Sequence, residues 1–150
     1  MESHVKNILA AIDLSPMSDI ILQKALQIAS CFSAKVWIIH VADPEPAFMG
    51  FDEGPGHERT WKAEKLHSEH QIIQQKANEL AHQNIDVTAL LLQGSTVDTI
   101  HRQAEKLDAD LIIMGMHSHG ILEKALLGNI TAGVIKTISR PVLLVPAPSD

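Results

Sequence analysis

Five short apolar runs recur along the chain, and segments of helical period separate them. They occupy residues 5–12 (VKNILAAI), 35–42 (KVWIIHVA), 86–93 (DVTALLLQ), 111–114 (LIIM) and 141–145 (PVLLV). Each is rich in branched aliphatics and nearly continuous in hydrophobicity. Strands covered on both faces of a parallel sheet have this pattern.

The segments between them carry helix signals. Ser15-Pro16 offers an N-cap hydroxyl followed by a proline suited to a first helical turn. Ile21, Leu22, Ala25, Leu26 and Ala29 then repeat at one helical turn. A second helix is expected over 59–82, with Leu66, Ile73, Ala77 and Leu80 on one side. A third opens with the capping-box-like pair Ser95 and Asp98 and buries Val97, Ile100, Ala104 and Leu107. A fourth starts near Gly128-Asn129 and is expected to bury Ile130, Val134, Ile135 and Ile138. Strands alternating with such helices form βαβ units, and right-handed crossovers lead to an α/β fold with one doubly wound parallel sheet. Residues 43–57 break the pattern: three of seven prolines and three of eight glycines fall there, which predicts an irregular loop.

Composition narrows the function classes. At 150 residues, with 45% hydrophobic and 20% charged positions, the chain is expected to be a single domain, 1–150. Two Trp, three Phe and no Tyr leave too few aromatics for a platform that stacks nucleic-acid bases. A net charge of −6 argues against a polyanionic partner, so nucleic acid is not expected. No apolar run approaches the roughly 18 residues of a membrane span, and no signal-peptide pattern opens the chain. With the single Cys31, these features predict a cytoplasmic protein without a membrane partner. Cys31 itself is expected to be buried or half-buried.

In an open α/β sheet, ligands sit outside the carboxyl ends of the strands where the strand order reverses. The candidates are therefore residues 13–15, 41–46 and 115–128. Asp13 ends an apolar run; it either helps cap the following helix or accepts hydrogen bonds from a ligand. Gly115 follows a strand directly, and Gly128-Asn129 opens a helix whose N–H groups and dipole favour phosphate. The two glycines also fit ordinary turns. Established phosphate motifs do not fit: Ile121-Leu122 stands where a P-loop needs Lys and Ser or Thr, and no G-x-G-x-x-G follows the first strand.

Four segments, ILAAIDLSP, IIHV, DADLIIMGMHSHG and LLGNITAGVIKTISRPVLLVP, form a recognisable set. Through them, nearly end to end, the chain resembles the universal stress protein family of the UspA type. The resemblance implies a five-stranded parallel sheet of order 3-2-1-4-5, helices on both faces, and Asp13 meeting Gly115 at the switch point. The ATP-binding branch carries G-x2-G-x9-G-(S/T); Gly115 and Gly128 match its first and third glycines, while Ser118 and Asn129 depart from it. The implied ligand is ATP or AMP, with Mg accompanying ATP. Asp13, beside Ala11, would face the adenosine, and the main chain of Val41 would read the adenine edge. Backbone from Met114 and Gly115 through His117 and Ser118, and from Gly128 and Asn129 to Ile130 and Thr131, would hold ribose and phosphates. His117 and His119 flank this cradle or are ordinary loop histidines. The family also forms homodimers through the last strand, here Val142, Leu143, Leu144 and Val145, and serves stress-response or regulatory roles.

Two other functions are weaker. Nine histidines raise the question of a metal, and His67 and His70 lie three apart on the second helix. No cysteine or carboxylate completes a tetrahedral set with them, so no metal site is expected. No nucleophile–base pair is visible, so no catalytic residue is assigned, and at most slow ATP hydrolysis is expected. The alternative to a nucleotide-binding protein is a dimeric interaction module of the same family that binds no nucleotide.

Overall fold

The computed structural model describes residues 4–42, 55–116 and 127–148, with the backbone alone at 55–59. Within them the elements run β1 (Asn7–Ala11), α1 (Met17–Phe32), β2 (Lys35–Ala42), α2 (Pro55–Ala81), β3 (Val87–Gln93), α3 (Thr96–Lys106), β4 (Leu111–Gly115), α4 (Asn129–Thr137) and β5 (Val142–Val145). The strands form one parallel sheet of order β3-β2-β1-β4-β5, the order that the family resemblance implies.

Strand periodicity divides the core into two layers. Ile8 and Ala10 of β1, Val36 and Ile38 of β2 and Ile113 of β4 face α1 and α2, where Ile21, Leu22, Ala25, Ile73, Ala77 and Leu80 meet them. Leu9, Ile39, Ile112 and Met114 point the other way, onto Ile100 and Ala104 of α3 and Val134 of α4. Central strands are thus covered on both faces, which explains their unbroken hydrophobicity. The edge strand β3 is half-buried along most of its length.

Several local expectations need correction. Helix α1 begins at Met17 with Pro16 as its N-cap, and Ser15 makes no capping side-chain bond. Its place is taken by Asp13, whose Oδ1 accepts the Ser15 N–H at 3.0 Å across a turn with Leu14 at φ 64°. Helix α2 starts at Pro55, inside the segment expected to be irregular. Proline is compatible with the first helical position, because its missing N–H has no intrahelical partner there. The rest of that segment, 43–54, lies outside the described residues. Ser95 is the N-cap of α3 but forms no side-chain cap bond. On α4, Ile135 is 37% exposed, and Thr131 takes the buried position instead. Cys31 is exposed.

Two tight features hold α3 and α4 in place below the ligand-facing end of the sheet. At Gly133 the helices approach so closely that a Cβ would lie 2.8 Å from Val97 Cγ2. Gly133→Ala is therefore expected to lower stability by about 1–3 kcal/mol despite alanine's better helix propensity. Urea denaturation checks this, and adding Val97→Ala should recover most of the loss by removing the clashing methyls. The second feature is Arg140, two residues before β5. Its guanidinium donates to Glu105 at 3.2 Å, to Asp108 at 2.9 Å and to the Ala109 carbonyl at 2.9 Å.

The hydrogen bond and charge of Arg140 hold the Glu105 carboxyl below its ordinary value of 4.5. Folding thus favours the carboxylate. The resulting stabilisation is present above 4.5 and disappears as pH falls through the lowered folded value. Arg140→Gln is expected to shrink the acid-side loss of stability, with midpoints from denaturation at pH 3 to 7 as the readout.

Candidate pocket at the switch point

The strand order reverses between β1 and β4, and a pocket opens over the carboxyl ends of β1, β2 and β4. Counting its open mouth, it encloses about 680 Å³. Ala11, Asp13, Val41, Met114, Gly115, Ile130 and Thr131, all singled out from the sequence, line it together. His117, Ser118 and His119 lie outside the described residues. Gly128 and Asn129 open α4 beside the pocket rather than lining it.

The start of α4 is pinned to the end of β4. Gly128 N–H donates to the Met116 carbonyl at 3.0 Å, and Thr131 Oγ1 donates to the Gly115 carbonyl at 2.8 Å. Thr131 is 2% exposed, so its hydroxyl is a structural tie. With its hydrogen committed to Gly115, it presents lone pairs and not a donor to a phosphate. Gly128, in extended conformation, is the N-cap; Asn129 is the first helical residue and not the cap. The first intrahelical bond runs from Ala132 N–H to Gly128 O at 2.8 Å. The N–H groups of Asn129, Ile130 and Thr131 therefore have no carbonyl within the helix to bond, leaving donors at the positive end of the dipole.

The walls are mostly apolar. Met17 and Ile21, one turn apart on α1, form one side; Ile39, Ile100 and Met114 form the other. Thr96 adds a hydroxyl from the first turn of α3, and His40 adds an imidazole from β2. Sequence reasoning missed these flanking residues. For His40 a signal was present, one polar residue inside IIHVA, whereas the residues on α1 and α3 look like ordinary helix positions. Among the described lining residues Asp13 carries the carboxylate and none is Lys or Arg. Such a site suits a flat, largely uncharged group with hydrogen-bonding edges, with any anionic portion directed to the helix termini.

His67 and His70 are exposed on α2. No three metal-ligating side chains gather among the described residues. None of the described helices is long and apolar enough to cross a membrane.

An open α/β sheet with a small-molecule pocket at its switch point defines a class of ligand-binding protein. Within that class, residues 4–146 match the model of the universal stress protein family, and the chain belongs to this family. It is 34% identical over 150 residues to universal stress protein MJ0531 of Methanocaldococcus jannaschii, covering 98% of this chain and 85% of the relative. A universal stress protein solved in complex with cAMP superposes with a TM-score of 0.67 at 23% identity, covering 96% and 98% of the two chains. The universal stress protein from Archaeoglobus fulgidus in complex with dAMP gives 0.66 at 16%, covering 95% and 98%.

Proposed function

We propose that this protein binds an adenine nucleotide, ATP or AMP, in the switch-point pocket and serves as a stress-response regulator. The observation that carries this reading is the convergence of Asp13, Val41, Gly115 and the first turn of α4 on one cavity. Adenosine occupies the apolar part, with Asp13 accepting from its hydroxyl or amino groups and the Val41 main chain meeting the adenine edge. Phosphates lie toward the N–H groups of Asn129, Ile130 and Thr131, with Mg accompanying ATP. Two structural neighbours are described in complex with cAMP and dAMP, both adenine nucleotides, which supports adenine as the shared recognition element.

Ser118 stands at the second glycine position of the ATP-binding pattern, a side chain where the pattern has only hydrogen. Ser118→Gly is expected to tighten nucleotide binding several-fold. Mass spectrometry of protein purified without added nucleotide, under native and then denaturing conditions, tests the reading. A released adenine nucleotide supports it; absence of binding both there and in titrations of the wild type and Ser118→Gly would contradict it.

A second reading, a dimeric interaction module, draws on the other end of the sheet. Leu143 on the edge strand β5 and Ile135 on α4 are each 37% exposed. A second copy pairing along β5 would cover an apolar edge that otherwise invites aggregation. A dimer that is dissociated by Leu143→Lys in sedimentation experiments is the expected outcome. Dimerisation and nucleotide binding are compatible, since β5 does not line the pocket.

A further inference from the structure

His40 is a buried polar residue in a strand that is otherwise apolar after Lys35, and both ring nitrogens have defined neighbours. Nδ1 lies 3.0 Å from the Ile12 carbonyl. A carbonyl only accepts, so Nδ1 carries the hydrogen. Nε2 lies 3.4 Å from Glu69 Oε2 on α2, an oxygen that is fully buried and has no hydrogen-bond partner.

The Ile12 peptide is held at both ends. Its carbonyl accepts from His40, and its N–H donates to the Ile39 carbonyl at 2.9 Å. Asp13 follows directly, then Leu14 at φ 64°, then Ser15, whose N–H returns to Asp13 Oδ1. A left-handed leucine is sterically disfavoured and persists where its surroundings determine it. The direction in which the chain leaves β1 thus depends on the Ile12 carbonyl, and the place of the Asp13 carboxylate depends on that direction.

We propose that His40 is a positioning residue for the ligand pocket: its Nδ1–H, bonded to the Ile12 carbonyl, holds the 12–15 turn in the shape that presents Asp13. The identity of the ligand rests on the adenine-nucleotide reading, whereas the fixing of the turn does not.

Ring-nitrogen NMR of His40, hydrogen exchange at the Ser15 amide and AMP titration, applied to wild type, His40→Phe and His40→Asn, test this proposal. In the wild type, Nδ1–H is expected to be observable and slow to exchange. His40→Phe should speed Ser15 exchange about tenfold and weaken AMP binding about tenfold, while the core amides of Ile8 and Ile112 keep their protection. His40→Asn should restore Ser15 protection, because its side-chain amide can donate to the Ile12 carbonyl. A bare Nδ1 in the wild type overturns the proposal without any variant. Unchanged Ser15 exchange in His40→Phe, equal loosening of all amides, or failure of His40→Asn to rescue Ser15 exchange also overturns it. If the wild type binds no AMP, the nucleotide reading fails, and the ring spectrum and Ser15 exchange still decide the positioning role.

Discussion

Replacing Asp13 with Ala is expected to weaken adenine-nucleotide binding by about 10–100-fold. A hydrogen bond to a charged group contributes roughly 1.5–3 kcal/mol, and about 1.4 kcal/mol is a factor of ten. Asp13 is the carboxylate among the described lining residues, so neutral neighbours offer no substitute of equal strength. The side chain has a second duty, since its Oδ1 accepts the Ser15 N–H. Asp13→Asn separates the two effects: its side-chain oxygen keeps the turn while the charge is lost. Calorimetric titration should place Asn between wild type and Ala. Equal affinity in all three would remove Asp13 from the site.

Ile39→Ala is expected to cost about 2–5 kcal/mol of folding stability, measured by urea denaturation. Ile39 is 1% exposed within the cluster between the sheet and α3 and α4, yet it also borders the pocket. Leu9→Ala is the informative comparison, because Leu9 is equally buried in that cluster and does not line the pocket. A void at Leu9 is closed on all sides, whereas one at Ile39 opens into existing space. The cost of such truncations grows with the cavity left behind. Leu9→Ala should therefore fall toward the upper part of the range and Ile39→Ala toward the lower. Nucleotide affinity should drop for Ile39→Ala alone, because that truncation removes a wall of the site.

The fold was legible because its central strands are covered on both faces. Runs such as NILAA and LIIMG, separated by amphipathic helices, leave little besides a parallel sheet. The strand order came from the family resemblance, since periodicity cannot say which strands are neighbours. Helix starts were less legible. Ser15 and Ser95 have favourable cap chemistry, but neither side chain forms the bond, and Asp13 supplies the contact before α1. Ile135 shows the limit of periodicity on a short helix. Gly133 draws α4 against Val97, and burial goes to Thr131 and Val134 instead.

The site was legible where it follows strand ends. Asp13, Val41 and Gly115 are next to or within the last residues of apolar runs, and a parallel sheet brings those ends together. Residues that enter from the helices, such as Met17 and Thr96, were hidden because their side chains look like ordinary helix positions. Thr131 illustrates a different limit. Its hydroxyl was visible in the sequence, but its bond to the Gly115 carbonyl depends on how α4 packs against β4.

The most direct test of the central claim is a two-dimensional amide NMR titration of the nucleotide-free protein with AMP, using GMP as the control. The account predicts saturable shifts with AMP at Asp13, Val41, Gly115 and the Asn129–Thr131 turn, and much smaller shifts with GMP. Shifts absent from these amides at millimolar AMP, or confined to β5 and its neighbours, would contradict it.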